Sequence, residues 1–115
     1  MGYYASYEGT ITFKEKPSIK IINEIRSIFA KDFYCGDYSF TSTGATLTLE
    51  FYGYEKFYED DFKVMLFKVS NLLEIADGSV EFVGEDGENW RYIYDDGKWY
   101  EQAGRVVYDG RMFPL

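Results

Sequence analysis

SVEFVGEDGENWRYIYDDGKWYEQAGRVVY, residues 79–108, decides how this chain folds. Short alternating runs of apolar and polar residues are cut by turn signals at Gly84 to Gly87, Asp95 to Gly97, and Ala103 to Gly104. That pattern predicts a β-meander. Asp96-Gly97, flanked by Tyr, Ile and Trp, predicts a two-residue type I′ hairpin, because such a turn needs φ > 0 at both central residues. The register follows from the turn. Asp95 then faces Lys98, Tyr94 faces Trp99 and Ile93 faces Tyr100, giving one ion pair and two pairs that include an aromatic ring, worth roughly 0.2 to 1 kcal/mol each. Trp90, Tyr92, Tyr94 and Trp99 share one face of this meander; Arg91, Ile93 and Tyr100 share the other. One face must meet the helices. Either the indoles are core, or an aromatic, acid-rimmed face stays open to dock a partner.

Upstream, Tyr3 to Phe13 reads as a strand with Tyr7, Gly9, Ile11 and Phe13 on one face and Glu8, Thr10 and Thr12 on the other. Gly9 marks a bulge or a close backbone approach. Pro17 suits the first turn of a helix, which continues through Ile19, Ile22, Ile25, Ile28 and Phe29 at helical spacing. Tyr38 to Thr41 and Ala45 to Tyr52 form a hairpin around Ser42, Thr43 and Gly44, with Leu47, Leu49 and Phe51 inward and Gly53 ending the strand. A second helix spans about Glu59 to Glu74, with Phe62, Met65, Leu66, Val69, Leu72 and Leu73 on its apolar stripe. Glu59, Asp60 and Asp61 sit where its dipole favours negative charge. Asp77-Gly78 is read as the turn into the meander.

The order is β-α-β-β-α-β-β-β, with three or four strands after the second helix. This predicts an α+β two-layer sandwich over residues 1–115 as a single domain. One mainly antiparallel sheet carries two helices on one face, a ferredoxin-like split βαβ pattern extended by a C-terminal meander.

Charge is unevenly distributed. Glu50 to Glu101 holds 14 acidic and 5 basic residues, a net −9, while the rest of the chain holds 6 acidic and 7 basic, a net +1. Such a field repels nucleic-acid phosphates and either attracts a basic protein or serves solubility alone. Aromatic residues make up 21% of the chain, including 12 tyrosines, more than a core of this size can bury completely. Some must face solvent, where Tyr suits either a strand face or an interface. The single cysteine, Cys35, allows no intramolecular disulfide and reads as a small buried or half-buried residue. No apolar run approaches the roughly 20 residues of a membrane helix. No basic region leads into an apolar one at the N-terminus, and the chain reads as a soluble cytoplasmic protein. Met1-Gly2 with Ser6 matches a myristoylation pattern but opens an aromatic strand with no polybasic segment behind it.

Signals for catalysis are sparse. There is no histidine, and neither a phosphate-binding glycine loop nor a nucleophile elbow is present. Glu85, Asp86, Glu88 and Asn89 crowd one turn without EF-hand spacing, and turn chemistry accounts for them. Glu85 with Glu101 is one of many carboxylate pairs available among 20 acidic residues. No catalytic residue, metal ligand or cofactor is assigned. The best polar group for a small-ligand or hydrolytic site would be Glu85, Glu88, Arg91 and Tyr92, which lacks an activated nucleophile.

GSVEFVGEDGENWRYIYDDGKWYEQAGRVVY, residues 78–108, resembles the tail of small uncharacterised proteins of bacteria, phages and mobile elements. The resemblance covers about the last third of the chain and transfers no functional residue. It implies an inhibitor of host defence in the style of anti-restriction and anti-CRISPR proteins. The function expected is therefore a non-enzymatic acidic interaction module for a basic, nucleic-acid-handling protein. An immunity or antitoxin-like protein acting on a basic toxin is the alternative. The candidate contact residues are Glu85, Asp86, Glu88, Trp90, Tyr92, Asp95, Asp96 and Trp99, with no direct contact to nucleic acid or membrane.

Overall fold

The first strand becomes the middle of the sheet. In a computed structural model describing residues 3–31, 33 and 36–103, β1 (Tyr4–Phe13) buries alternate side chains, with Ala5, Tyr7, Ile11 and Phe13 inward. It pairs antiparallel with β3 (Thr46–Lys56) on one side and with β4 (Ile75–Gly84) on the other. β2 (Asp37–Thr43) lies outside β3, and β5 (Asn89–Asp95) and β6 (Lys98–Ala103) extend the sheet beyond β4. The strand order is β2-β3-β1-β4-β5-β6, so the α+β two-layer architecture and its C-terminal meander are as the sequence predicts. Gly9 stands opposite Phe51 in an unbroken register, and a Cβ there would collide with the Phe51 ring. It is a close approach rather than a bulge.

α1 (Ile19–Lys31) and α2 (Glu59–Leu72) cover the same face. Ser18 Oγ accepts the Ile21 N–H at the start of α1, so Pro17 precedes the cap instead of opening the helix. Ile25 and Phe29 are buried, with Ile21 and Ile28 beside them. Ile19, expected on that stripe, is 78% exposed because the first residue of the helix lies off the sheet. Phe29 packs on Phe51 and Tyr38, placing α1 over β2 and β3. Phe62 meets Phe82 and Tyr92, each at 4.9 Å between centroids, placing α2 over β4 and β5. Each such fully buried aromatic stabilises the fold by roughly 1.5 to 3 kcal/mol.

Three boundaries differ from the sequence reading. β3 does not end at Gly53 but continues to Lys56, because β1 offers it partners as far as Tyr4. α2 stops at Leu72, since Leu73 is already extended (φ −159°, ψ 148°). Asp77-Gly78 is not a turn: Asp77 pairs with Thr12 and Gly78 with Ile11 inside β4, and the Trp99 ring packs over Gly78. The turn between Asp95 and Lys98 forms as predicted, with Asp96 at φ 46° and Gly97 at φ 84°, and all three predicted cross-strand pairs are present. Asp95 and Lys98 nevertheless make no ion pair, consistent with the small gain such a pair offers in water. Cys35 and the segment after Ala103, including the Gly104 turn and any further strand, lie outside the described residues. Among the described residues no helix is long and apolar enough to cross a membrane.

Candidate functional site

The Trp face of the meander is the face beneath the helices. Tyr92 is buried, and Trp90, Tyr94 and Trp99 pack half-buried against the core. Trp99 Nε1 donates to Ser70 Oγ at 2.7 Å, and Ser70 Oγ donates to the Leu66 carbonyl at 2.6 Å, which ties β6 to α2. Trp90 stacks on Phe82 with the two planes 2° apart. The open face of the sheet is therefore made by the opposite set of residues.

That open face is both acidic and aromatic. Glu8 stands directly opposite Glu81 on the neighbouring strand and Tyr52 on the other side; Thr10, the next outward residue of β1, faces Glu50. Tyr52, Tyr54, Val83 and Tyr100 are each about half exposed or more, at 55%, 61%, 48% and 50%. Tyr54 stacks on Tyr4 at 5.6 Å. A shallow hollow of about 550 Å³ lies among Ser6, Glu8, Tyr52, Tyr54, Glu81 and Val83. Tyr52 donates to Asp37 Oδ2 at 3.0 Å, and this bond raises the Tyr52 pKa. Arg91, the cation set opposite Glu81 on β5, turns its Nε to Gln102 Oε1 at 2.7 Å.

The predicted contact residues divide into separate groups. Glu85, Asp86 and Glu88 occupy the β4–β5 turn, whereas Asp95 and Asp96 occupy the turn at the other end of β5. A strand of 7 residues separates them, a distance of roughly 20 Å. Asp86 is committed to structure: its Oδ1 accepts the Tyr3 hydroxyl at 2.6 Å and the Glu88 N–H at 3.0 Å. The Tyr3 bond holds the Asp86 carboxyl below its usual pKa and pushes the Tyr3 phenol up to about 12. Arg91 and Tyr92, adjacent in β5, point to opposite faces, so Glu85, Glu88, Arg91 and Tyr92 do not converge. Among the described residues no three acidic or sulfur-bearing side chains are grouped to hold a metal ion.

No known protein family, curated protein or solved structure matches the chain.

Sequence reasoning did not include Tyr4, Glu8, Glu50, Tyr52, Tyr54 and Glu81, the residues that make this open face, among its candidates. Their signal is the parity of β1, β3 and β4, which is legible only once the helix-covered face is known. A second feature lies at the helix-covered edge. There Tyr3, Phe57, Trp90 and Tyr92 line a hollow of about 370 Å³ together with Glu59, Glu88 and Glu101. Lys63 Nζ bridges Glu59 at 2.7 Å and Glu101 at 3.6 Å beside it, and the Glu59 bond raises the Lys63 pKa.

Proposed function

We propose that this protein is a non-enzymatic interaction module that docks a basic protein through the open face of its sheet. The observation that carries the reading is the direct opposition of Glu8 and Glu81, neither of which forms a salt bridge among the described residues, beside the exposed rings of Tyr52 and Tyr54. Like charges directly opposite on adjacent strands cost stability, so folding alone gives no reason to keep them there. A cationic partner would relieve that repulsion on binding. Tyrosine adds contact area at low entropic cost and can engage a cation through its ring face. Basic surfaces of this kind are carried by nucleic-acid-handling proteins, and an acidic module seated on one would block access to phosphate.

Capture from cell lysate at low salt, with stepwise salt elution, tests this. Proteins with basic surfaces should be retained and released as salt shortens the range of charge attraction. A folded Glu8→Lys/Glu81→Lys variant should lose them, chiefly through slower association. Retention of no basic protein, or undiminished retention by the charge-reversed variant, would overturn the reading.

A further inference from the structure

Tyr92 buries its whole side chain, at 3% exposure, and its hydroxyl has no hydrogen-bond partner among the described residues. A buried hydroxyl without a partner is costly, and native structures seldom leave one unless something else satisfies it. Burial raises the pKa of this hydroxyl, and the nearby carboxylates of Glu101 and Glu59 raise it further. Both carboxylates line the same hollow as the Tyr92 ring. Around them stand the rings of Tyr3, Phe57 and Trp90, with Trp90 lying 6.2 Å from Tyr3 and 5.4 Å from Phe57 between centroids. Glu88 completes the rim. Three carboxylates against the one ammonium of Lys63 leave the site with a net charge of about −2.

Aromatic faces, surplus carboxylates and a spare buried acceptor describe a receptor for an organic cation. We propose that this hollow is the socket for an arginine side chain of the basic partner, an inference that rests on the reading given above. The planar guanidinium lies on the aromatic faces and sends its N–H donors to several acceptors at once, which a lysine ammonium at the end of a flexible stem does not do as well. Once the rim opens, one N–H reaches the buried Tyr92 oxygen while the Tyr92 O–H turns to Glu59 or Glu101, and the other N–H donors go to Glu59, Glu88 or Glu101. Lys63, half exposed, gives up its share of Glu101 and keeps Glu59.

The test uses the full chain carrying fluorotryptophan, followed by fluorine NMR while tri-arginine amide is added, with tri-lysine amide as a parallel arm. The Trp90 resonance should shift saturably with tri-arginine and bind tri-lysine at least about fivefold more weakly. Tyr92→Phe should weaken tri-arginine binding about fivefold to tenfold while leaving the melting temperature unchanged or higher, since it removes an unpaired polar group. Glu59→Gln/Glu101→Gln should weaken binding by about tenfold or more, and Asp95→Lys at the far turn by less than about twofold. A Trp90 signal indifferent to tri-arginine overturns the socket, as does wild-type affinity in both the Tyr92 and the Glu59/Glu101 variants. If Trp90 is indifferent yet the intact chain still captures basic proteins in a salt-dependent way, the socket falls and the docking face stands. If neither occurs, both fall.

Discussion

Glu8 and Glu81 face each other across the β1–β4 ladder at the centre of the open face. The pair lies between two inner strands, where neither side chain can swing away past an edge. Replacing either by Thr should stabilise the protein by roughly 0.2 to 1 kcal/mol, and the gain should shrink as salt is raised. Chemical denaturation at two salt concentrations checks this. A Thr variant less stable than the parent would show that the repulsion is already compensated.

The Asp96-Gly97 turn sets the register of the β5–β6 hairpin. With Gly97 at φ 84°, Gly97→Val should cost about 1 to 2 kcal/mol. Asp95→Lys beside it, being exposed, should change stability by less than about 0.5 kcal/mol. Equal effects of the two substitutions in urea unfolding would mean that the turn conformation is not what holds β5 to β6.

Ser70 links α2 to β6 by accepting the Trp99 indole N–H. Ser70→Ala leaves that donor without its partner in a half-buried position and should cost about 0.5 to 1.5 kcal/mol. Hydrogen exchange should then rise in β6 ahead of β1. Uniform exchange across the sheet would contradict a local role for this bond.

The Tyr3–Asp86 bond gives stability opposite pH limits at its two ends. Tyr3 is raised from its ordinary 10.0 to about 12, so its contribution is complete below pH 10 and is lost as pH rises through about 12. Asp86 is lowered, so its contribution is present above the unfolded carboxylate range and is lost as pH falls through the lowered value. Ultraviolet titration of the 12 tyrosines should show a late-ionising class that includes Tyr3, and Asp86→Ala should return one tyrosine to the ordinary range. An unchanged late class in that variant would exclude the bond in solution.

Local chemistry made much of this fold legible before any tertiary contact was known. Asp96-Gly97 specified its turn because few residues tolerate two consecutive positive φ values, and the pairs Tyr94–Trp99 and Ile93–Tyr100 followed by counting. Phe62, Met65, Leu66 and Val69 specified their buried stripe because their spacing matches the helical period. Asp77-Gly78 misled for the same local reason: the dipeptide favours a turn, but the ladder offered by Thr12 and Ile11 and the ring of Trp99 outweigh that preference.

The sequence by itself determined which residues of each strand share a face, since side-chain alternation is a property of the extended backbone. It did not determine which face the helices cover. That choice was made by Phe62 seating against Phe82 and Tyr92, a contact between residues 20 or more positions apart in the chain, and it turned Trp90 and Trp99 inward while leaving Tyr52, Tyr54, Glu8 and Glu81 on the outside. The hollow around Tyr92 was equally invisible, because Tyr3, Phe57 with Glu59, Trp90 and Glu101 come from four segments that only packing brings together.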